Sequence, residues 1–342
     1  MREPAFWYRP PSWTSRLLAP LGEVYGLIAS ARMQSRSFDA GIPVLCVGNY
    51  HAGGAGKTPT VLALTGLLRD LSEAPVVLSR GYGGRSQGPI RVDPSRHTAA
   101  DVGDEPLMLA LTVPVIVARD RVAGAALARS QGATVIVMDD GFQNPAIGKN
   151  GSFIVIDSDR GLGNGRVFPA GPLRAPLKPQ LDRTDALIVI GTGTAAVAVA
   201  TAVTARGKPV LSAQLKPDAA SLEALGGKRV LAFAGIGDPG RFFRTLRGAG
   251  IDVVRERVFA DHHPFSPGEI EALLAEARGD GLTLVTTEKD MVRLRGAESS
   301  MQPARDIVPF AVKLEFNDVA RLRKFVVEQL SRARGKNHRP HD

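Results

Sequence analysis

Apolar residues in this chain come mostly in short unbroken runs. Residues 43–47, 76–78, 113–117, 135–138, 153–156 and 187–190 each read as a strand buried on both faces. Segments with helical spacing lie between them, 60–71 and 122–130 among them. This alternation predicts a doubly wound α/β fold, a mostly parallel sheet with helices on both sides. A second series starts near residue 211, with strand-like runs at 230–234, 253–258 and 282–286 and a last helix over 318–331. Proline and glycine between 208 and 228 put the expected division near residue 212. The units expected are therefore 37–212, a smaller α/β unit at 213–333, and a basic tail at 334–342.

Two stretches imitate membrane spans. Residues 186–205 carry no charge over the length a spanning helix needs. Leu187, Ile188, Val189 and Ile190 nevertheless form a strand-like run, and Gly191 to Thr194 interrupt it before a helical segment, so strand, turn and helix are expected. In 13–36, Leu17, Leu21, Val24 and Ile28 recur at helical spacing, but Arg16, Glu23, Arg32 and Arg36 exclude a span. Trp7, Tyr8 and Trp13 just upstream suit a helix lying in a membrane interface. Packing on the protein's own surface is the other reading of this 1–36 segment.

Composition narrows the class. At 342 residues with 44% apolar and 23% charged positions, the chain is globular and longer than one core usually supports. The single cysteine, Cys46, excludes an internal disulfide and a zinc cluster, and fits a reducing cytoplasm. Prolines, Glu3 and arginines among the first 16 residues leave no room for a secretory signal. The formal charge of +9 favours acidic partners: nucleotide phosphate, nucleic acid or an anionic membrane surface.

The strongest chemical signal follows the first strand. Val44-Leu45-Cys46-Val47-Gly48 leads into a loop containing Gly53, Gly54, Ala55, Gly56, Lys57, Thr58 and Pro59, and a helical pattern follows. Glycines let backbone N–H groups converge on an anion, the helix start adds its dipole, and Lys57 reaches the outer phosphates. Thr58 supplies a hydroxyl for Mg2+. His51 stands where the strict motif has its first glycine, and is expected to be a loop residue. The run 135–138 ends in Asp139 and Asp140, placing carboxylates at the carboxyl edge of a parallel strand, where ligands bind in such sheets. One of the pair is expected to hold Mg2+, directly or through water. Capping of a helix by Asp140 is the alternative.

A phosphate loop is shared by kinases, switch GTPases and partitioning ATPases, and the Asn-Lys-x-Asp base-reading motif of common GTPases is absent from the sequence. Further groups bear on the choice: Ser79-Arg80-Gly81-Tyr82, Gly103-Asp104-Glu105-Pro106, Asp139-Asp140-Gly141-Phe142-Gln143, Phe168-Pro169-Ala170-Gly171-Pro172-Leu173-Arg174, Asp261-His262-His263 and Thr287-Glu288-Lys289-Asp290. In order and spacing, together with the phosphate loop, they resemble the tetraacyldisaccharide 4'-kinase family of lipid A biosynthesis from about Trp7 to Leu330.

The resemblance implies transfer of the ATP γ-phosphoryl group to the 4'-hydroxyl of a tetraacylated glucosamine disaccharide 1-phosphate. It also implies a peripheral, monotopic enzyme at the cytoplasmic face of the inner membrane, with its site between two domains. Asp104 matches the family's catalytic aspartate, His262 its partner histidine and Glu105 an acidic neighbour. His263 is the weaker candidate, and a polar interdomain turn is the plain reading of both histidines. Arg80, Tyr82 and Arg174 are candidates for substrate contact, against structural roles in a glycine-rich turn or as a capping aromatic. Ala175 departs from the family, in which an acid often follows the arginine. The partner expected is an anionic glycolipid, with ATP and Mg2+ as cofactors, no nucleic acid and no obligate protein partner. The rival readings are a switch or partitioning ATPase and a basic nucleic-acid-associated protein, although the chain lacks a helix-turn-helix signature and basic motifs interleaved with aromatics.

Overall fold

The computed structural model describes residues 3–296 and 306–337. Nine strands form one sheet: β1 (Val44–Gly48), β2 (Pro75–Ser79), β3 (Ile90–Arg91), β4 (Val115–Val117), β5 (Val135–Asp139), β6 (Gly151–Asp157), β7 (Ala186–Ile190), β8 (Val210–Pro217) and β13 (Val312–Phe316). Their order across the sheet is β13-β8-β7-β6-β1-β5-β2-β4-β3. The seven inner strands are parallel, and β3 and β13 close the edges antiparallel. Their unbroken apolar runs follow from burial on two faces. In β5, Val135 and Val137 enter one core while Ile136 and Met138 enter the other.

The first core also takes Leu64 and Leu68 of helix α3 (Lys57–Asp70) and Leu107 and Leu109 of α5 (Asp104–Ala110), which follows the short α4 (Ala99–Val102). The second takes Ala125 and Ala128 of α6 (Arg121–Ser130), Leu181 of α7 (Leu177–Asp182) and Val199 and Val203 of α8 (Val197–Thr204).

A four-stranded parallel sheet, order β10-β9-β11-β12, is built from β9 (Arg229–Ala234), β10 (Asp252–Val258), β11 (Thr283–Thr287) and β12 (Ile307–Phe310). Helix α11 (Pro267–Gly279) packs on one face with Phe233 and Phe265, while α9 (Ala219–Leu225) and α10 (Pro239–Gly248) pack on the other with Phe310. Helix α12 (Glu288–Gly296) belongs to both units, because Met291 and Leu294 enter the small core and Val292 the large one.

The division expected after residue 212 falls inside β8, and the second unit does not run to residue 333. The chain returns to the large sheet through β13 and α13 (Val319–Asn337), which put Leu314, Leu322, Val326 and Leu330 into the first core. The physical reason is that β8 has a hydrogen-bonding edge to satisfy, and β13 pairs with it from Val312↔Pro217 to Phe316↔Ala213. The two crossings lie side by side: the Asp218 N–H donates to the Ala311 carbonyl at 2.9 Å, and the Ala311 N–H to Ser221 Oγ at 3.0 Å. The end of the expected basic tail, 338–342, lies outside the described residues.

At the N-terminus, the single helix expected over 13–36 is two, α1 (Trp13–Leu17) and α2 (Ala19–Met33), with Pro20 in the first turn of the second. Helix α2 docks through glycine. A Cβ on Gly22 would lie 2.9 Å from the Val167 carbonyl, and one on Gly26 3.1 Å from Pro176. Its aliphatic side chains point outward, with Leu21, Val24, Leu27 and Ile28 exposed beside Trp13 and Leu17. Among the described residues no helix is long and apolar enough to cross a membrane.

Candidate active site

The carboxyl ends of both sheets face one cleft. On the large side, β1 opens into the phosphate loop, which turns at Gly53 and Gly56 with φ of 102° and 90°. At Gly56 a side chain would be strained by the positive φ, and its Cβ would press on Ile190 Cδ1 at 2.6 Å. The loop is pinned by Asn49 Nδ2 donating to the Gly53 carbonyl at 3.0 Å and by the Ala52 N–H donating to the Pro172 carbonyl at 2.8 Å. Ala55 and Thr58 are buried, and Pro59 sits in the first turn of α3, where its missing N–H costs nothing. His51 is buried, pairs with Leu173 through its backbone, and is driven down to about 4 chiefly by burial. It is therefore a neutral loop residue.

Asp139 and Asp140 end β5 with opposite characters. Asp139 is buried with Ser79 Oγ 3.4 Å from Oδ2, and its Oδ1 has no partner. Burial, then the charges of Glu105 and Asp140, push its carboxyl up to about 7. Asp140, in the left-handed region at φ 49°, takes both nitrogens of the Arg174 fork at 2.7 and 3.0 Å and lies 3.7 Å from Lys57 Nζ. Burial opposes its charge, but Lys57 and Arg174 outweigh that and hold it well below the usual carboxylate range. Arg174, expected on the substrate, is thus engaged by Asp140. The Pro172-Leu173-Arg174 segment runs beside the phosphate loop and delivers the guanidinium to the floor of the site. Ala175, where the family often has an acid, is fully buried in the core.

Asp104 begins α5 after Gly103, whose φ of 91° turns the chain into the helix. Its Oδ2 meets His262 Nδ1 at 3.0 Å, across 158 residues of sequence. Burial disfavours the Asp104 charge, yet the hydrogen bond from His262 and the charges of His262, Lys289 and Arg293 bring it down to about 2. The same hydrogen bond raises His262 above its ordinary value. The His262 side chain is 41% exposed, with Nε2 3.8 Å from Asp261 Oδ1, so Nε2 remains reachable from the cleft. The exposed ring of Tyr82 lies 6.1 Å from the His262 ring, and Arg80 stands exposed at the end of β2. His263 faces away from the pair: it stacks on Phe259 and bonds Glu269 at 2.9 Å, a structural role.

Three residues of the cleft carried no role in the sequence reading. Lys289 forms an ion pair with Glu105. Arg293 lies 3.4 Å from Asp104 Oδ2 and 3.1 Å from Asp290 Oδ1, and its Nη1 donates to the Gly235 carbonyl at 2.9 Å. The available signal was the four-residue spacing of Lys289 and Arg293, which sets both cations on one face of a helix. Farther along the cleft, Arg241 of α10 reaches Asp157, at the end of β6, at 2.6 Å.

Comparison with known proteins agrees over nearly the whole chain. A family model described as tetraacyldisaccharide-1-P 4'-kinase matches residues 14–331. A tetraacyldisaccharide 4'-kinase of Bradyrhizobium diazoefficiens is 68% identical over 334 residues, covering 98% of each chain. One of Nitrobacter winogradskyi is 63% identical, covering 98% of this chain and 99% of its own. A crystal structure of LpxK from Aquifex aeolicus in complex with ATP has a TM-score of 0.71 at 27% identity, covering 92% of this chain and 99% of that one.

Proposed function

The chain belongs to the tetraacyldisaccharide-1-P 4'-kinase family, and on that premise we propose that the cleft between its sheets is where a phosphoryl group passes from ATP to a lipid-borne sugar. The activity is ATP-dependent phosphorylation of the 4'-hydroxyl of the lipid A disaccharide precursor. In the reaction the bond from the γ-phosphorus to the ADP oxygen breaks, a bond to the 4'-oxygen forms, and the hydroxyl proton must leave. The Asp104–His262 contact carries the proposal. Asp104 is too acidic to take that proton, whereas the imidazole, with Nδ1–H donating to Asp104, presents Nε2 as the acceptor. Asp104 orients the ring and stabilises the imidazolium.

The phosphate loop and Lys57 hold the nucleotide phosphates. The donor set fits Mg2+: Asp139 Oδ1 is a buried carboxylate oxygen without a partner, and Thr58 opens the helix beside Lys57. Among the described residues no three ligand-type side chains enclose a metal, as suits an ion that keeps water and phosphate oxygens in its shell. When bound, the ion neutralises charge on the transferred group. Thr58, Asp139 and the more tightly paired Asp140 are the residues that would hold it.

The outward aliphatic stripe of α1 and α2 supports docking on the cytoplasmic face of the inner membrane, where an anionic glycolipid is presented to Arg80 and Tyr82 at the mouth of the cleft. Incubating the protein with radiolabelled ATP and a lipid disaccharide 1-phosphate in detergent tests the whole reading. Label in the lipid is expected, and ADP release without labelled lipid would favour the switch ATPase.

A further inference from the structure

Lys57 is not the lone ammonium directed at the carboxylates of the cleft. Lys289, in the first turn of α12, pairs with Glu105. The charges acting on Lys289 are those of Glu105, Asp104 and Asp139, and two of these acids, Glu105 and Asp139, also lie within the field of Lys57. The two lysines thus act on shared acids from two helices, Lys57 on α3 beside Asp140 and Lys289 on α12 paired with Glu105. The helix that carries Lys289 is anchored in both cores by Met291, Val292 and Leu294. Its next turn is fixed by Arg293 between Asp104 and Asp290. Lys289 is therefore held by a rigid element, with its side chain still 31% exposed to the cleft.

A single carboxylate is a modest partner for a partly exposed ammonium. The outer phosphates of ATP concentrate more charge at the same place. A cation brought by a second module to the transferring phosphoryl group is a recurrent device in phosphoryl transfer. Resting on the assignment of the γ-phosphate to Lys57, we propose that Lys289 is a second phosphate-binding cation, held ready by Glu105 and presented by the rigid helix α12 to the phosphoryl group in transit.

The test compares Lys57→Ala, Lys289→Met, Lys289→Arg, Glu105→Gln and the double variant Glu105→Gln/Lys289→Met. Each is assayed for single-turnover transfer, for binding of a nonhydrolysable ATP analogue, and for binding of ADP with aluminium fluoride as a mimic of the transferring group. Lys289→Met should lose roughly 100- to 1000-fold in transfer. It should lose a similar factor in ADP–aluminium fluoride affinity and under about 10-fold in analogue affinity, since the contact strengthens with the charge that develops. Lys289→Arg should recover part of the loss, and the double variant should stay as slow as Lys289→Met. Recovery of transfer in the double variant would show that Lys289 only neutralises Glu105, and would overturn the proposal. So would unchanged ADP–aluminium fluoride binding in Lys289→Met while Lys57→Ala abolishes it. If Lys57→Ala also left that binding intact, the assignment of the phosphates to the loop would fail, and this proposal with it.

Discussion

The ion pairs that join the two lips of the cleft all run in one direction. Four ion pairs cross it among the described residues: Asp104 with His262, Asp104 with Arg293, Glu105 with Lys289, and Asp157 with Arg241. In every one the acid stands on the large unit, and the cation comes from α10 or the 261–263 loop of the small unit or from α12, which is shared by both. The acids are fixed by strand ends and helix starts, where a parallel sheet places its ligands. The cations sit on α10 and the 261–263 loop of the small unit and on α12, which is packed into both cores.

Arg293→Ala attacks this complementarity hardest. The guanidinium is buried and serves Asp104 and Asp290 together, so its loss leaves the buried Asp290 without its cation and Asp104 with only its His262 contact, at about 3–5 kcal/mol. Thermal unfolding should show a large drop in melting temperature, and an unchanged melting point would remove Arg293 as the keystone of the contact. Lys57→Ala probes the large lip alone. It should leave a folded protein whose transfer rate falls by roughly 3 kcal/mol or more, because charge on the migrating group loses its nearest cation. Near-normal turnover would refute the phosphate-loop assignment.

Acidity separates the lips in another way. His262 titrates above its ordinary 6.5 when folded, so its share of stability is complete below pH 6.5 and is lost as pH rises through the raised value. Asp104 is the reverse case: its share is present above 3.8 and is lost as pH falls through about 2. The pair therefore holds the units together best between those ordinary values. Turnover instead needs neutral Nε2 and should rise with pH above 6.5. In Asp104→Asn, which removes the cause of the shift, the rising limb of the pH–rate profile should move to lower pH, and a limb that stays put would break the link between the two residues. The smallest effect belongs to Arg241→Gln. Asp157 retains N–H donors from Asp159 at 2.8 Å and Arg160 at 3.3 Å, so denaturant titration should register a loss of about 1 kcal/mol.

Legibility followed the same division. Residues 135–140 announced both a strand and its terminal acids, and the glycines before Lys57 announced the phosphate loop, because local spacing alone imposes those features. Asp104 and His262 were drawn from the resemblance of their motifs, since no local pattern could tell that residues 158 apart would touch. The return of β13 and α13 to the large sheet was hidden, because apolar periodicity reports burial without saying against what. The N-terminal helices were read as a stripe, but not as a helix docked on glycine with its aliphatic face turned out. The partner of Arg174, Asp140, could not be read from the sequence, because the contact depends on how the 172–174 segment folds back.

Single-turnover transfer in Asp104→Ala, His262→Ala and the double variant addresses the proton-accepting pair itself. Each single change should cost about two to four orders of magnitude, with binding of a nonhydrolysable ATP analogue little changed. The double variant should be scarcely slower than the poorer single one, because members of one catalytic unit do not contribute independently. Losses that multiply, accompanied by lowered melting temperatures in both single variants, would instead make Asp104 and His262 two separate structural residues and contradict the account.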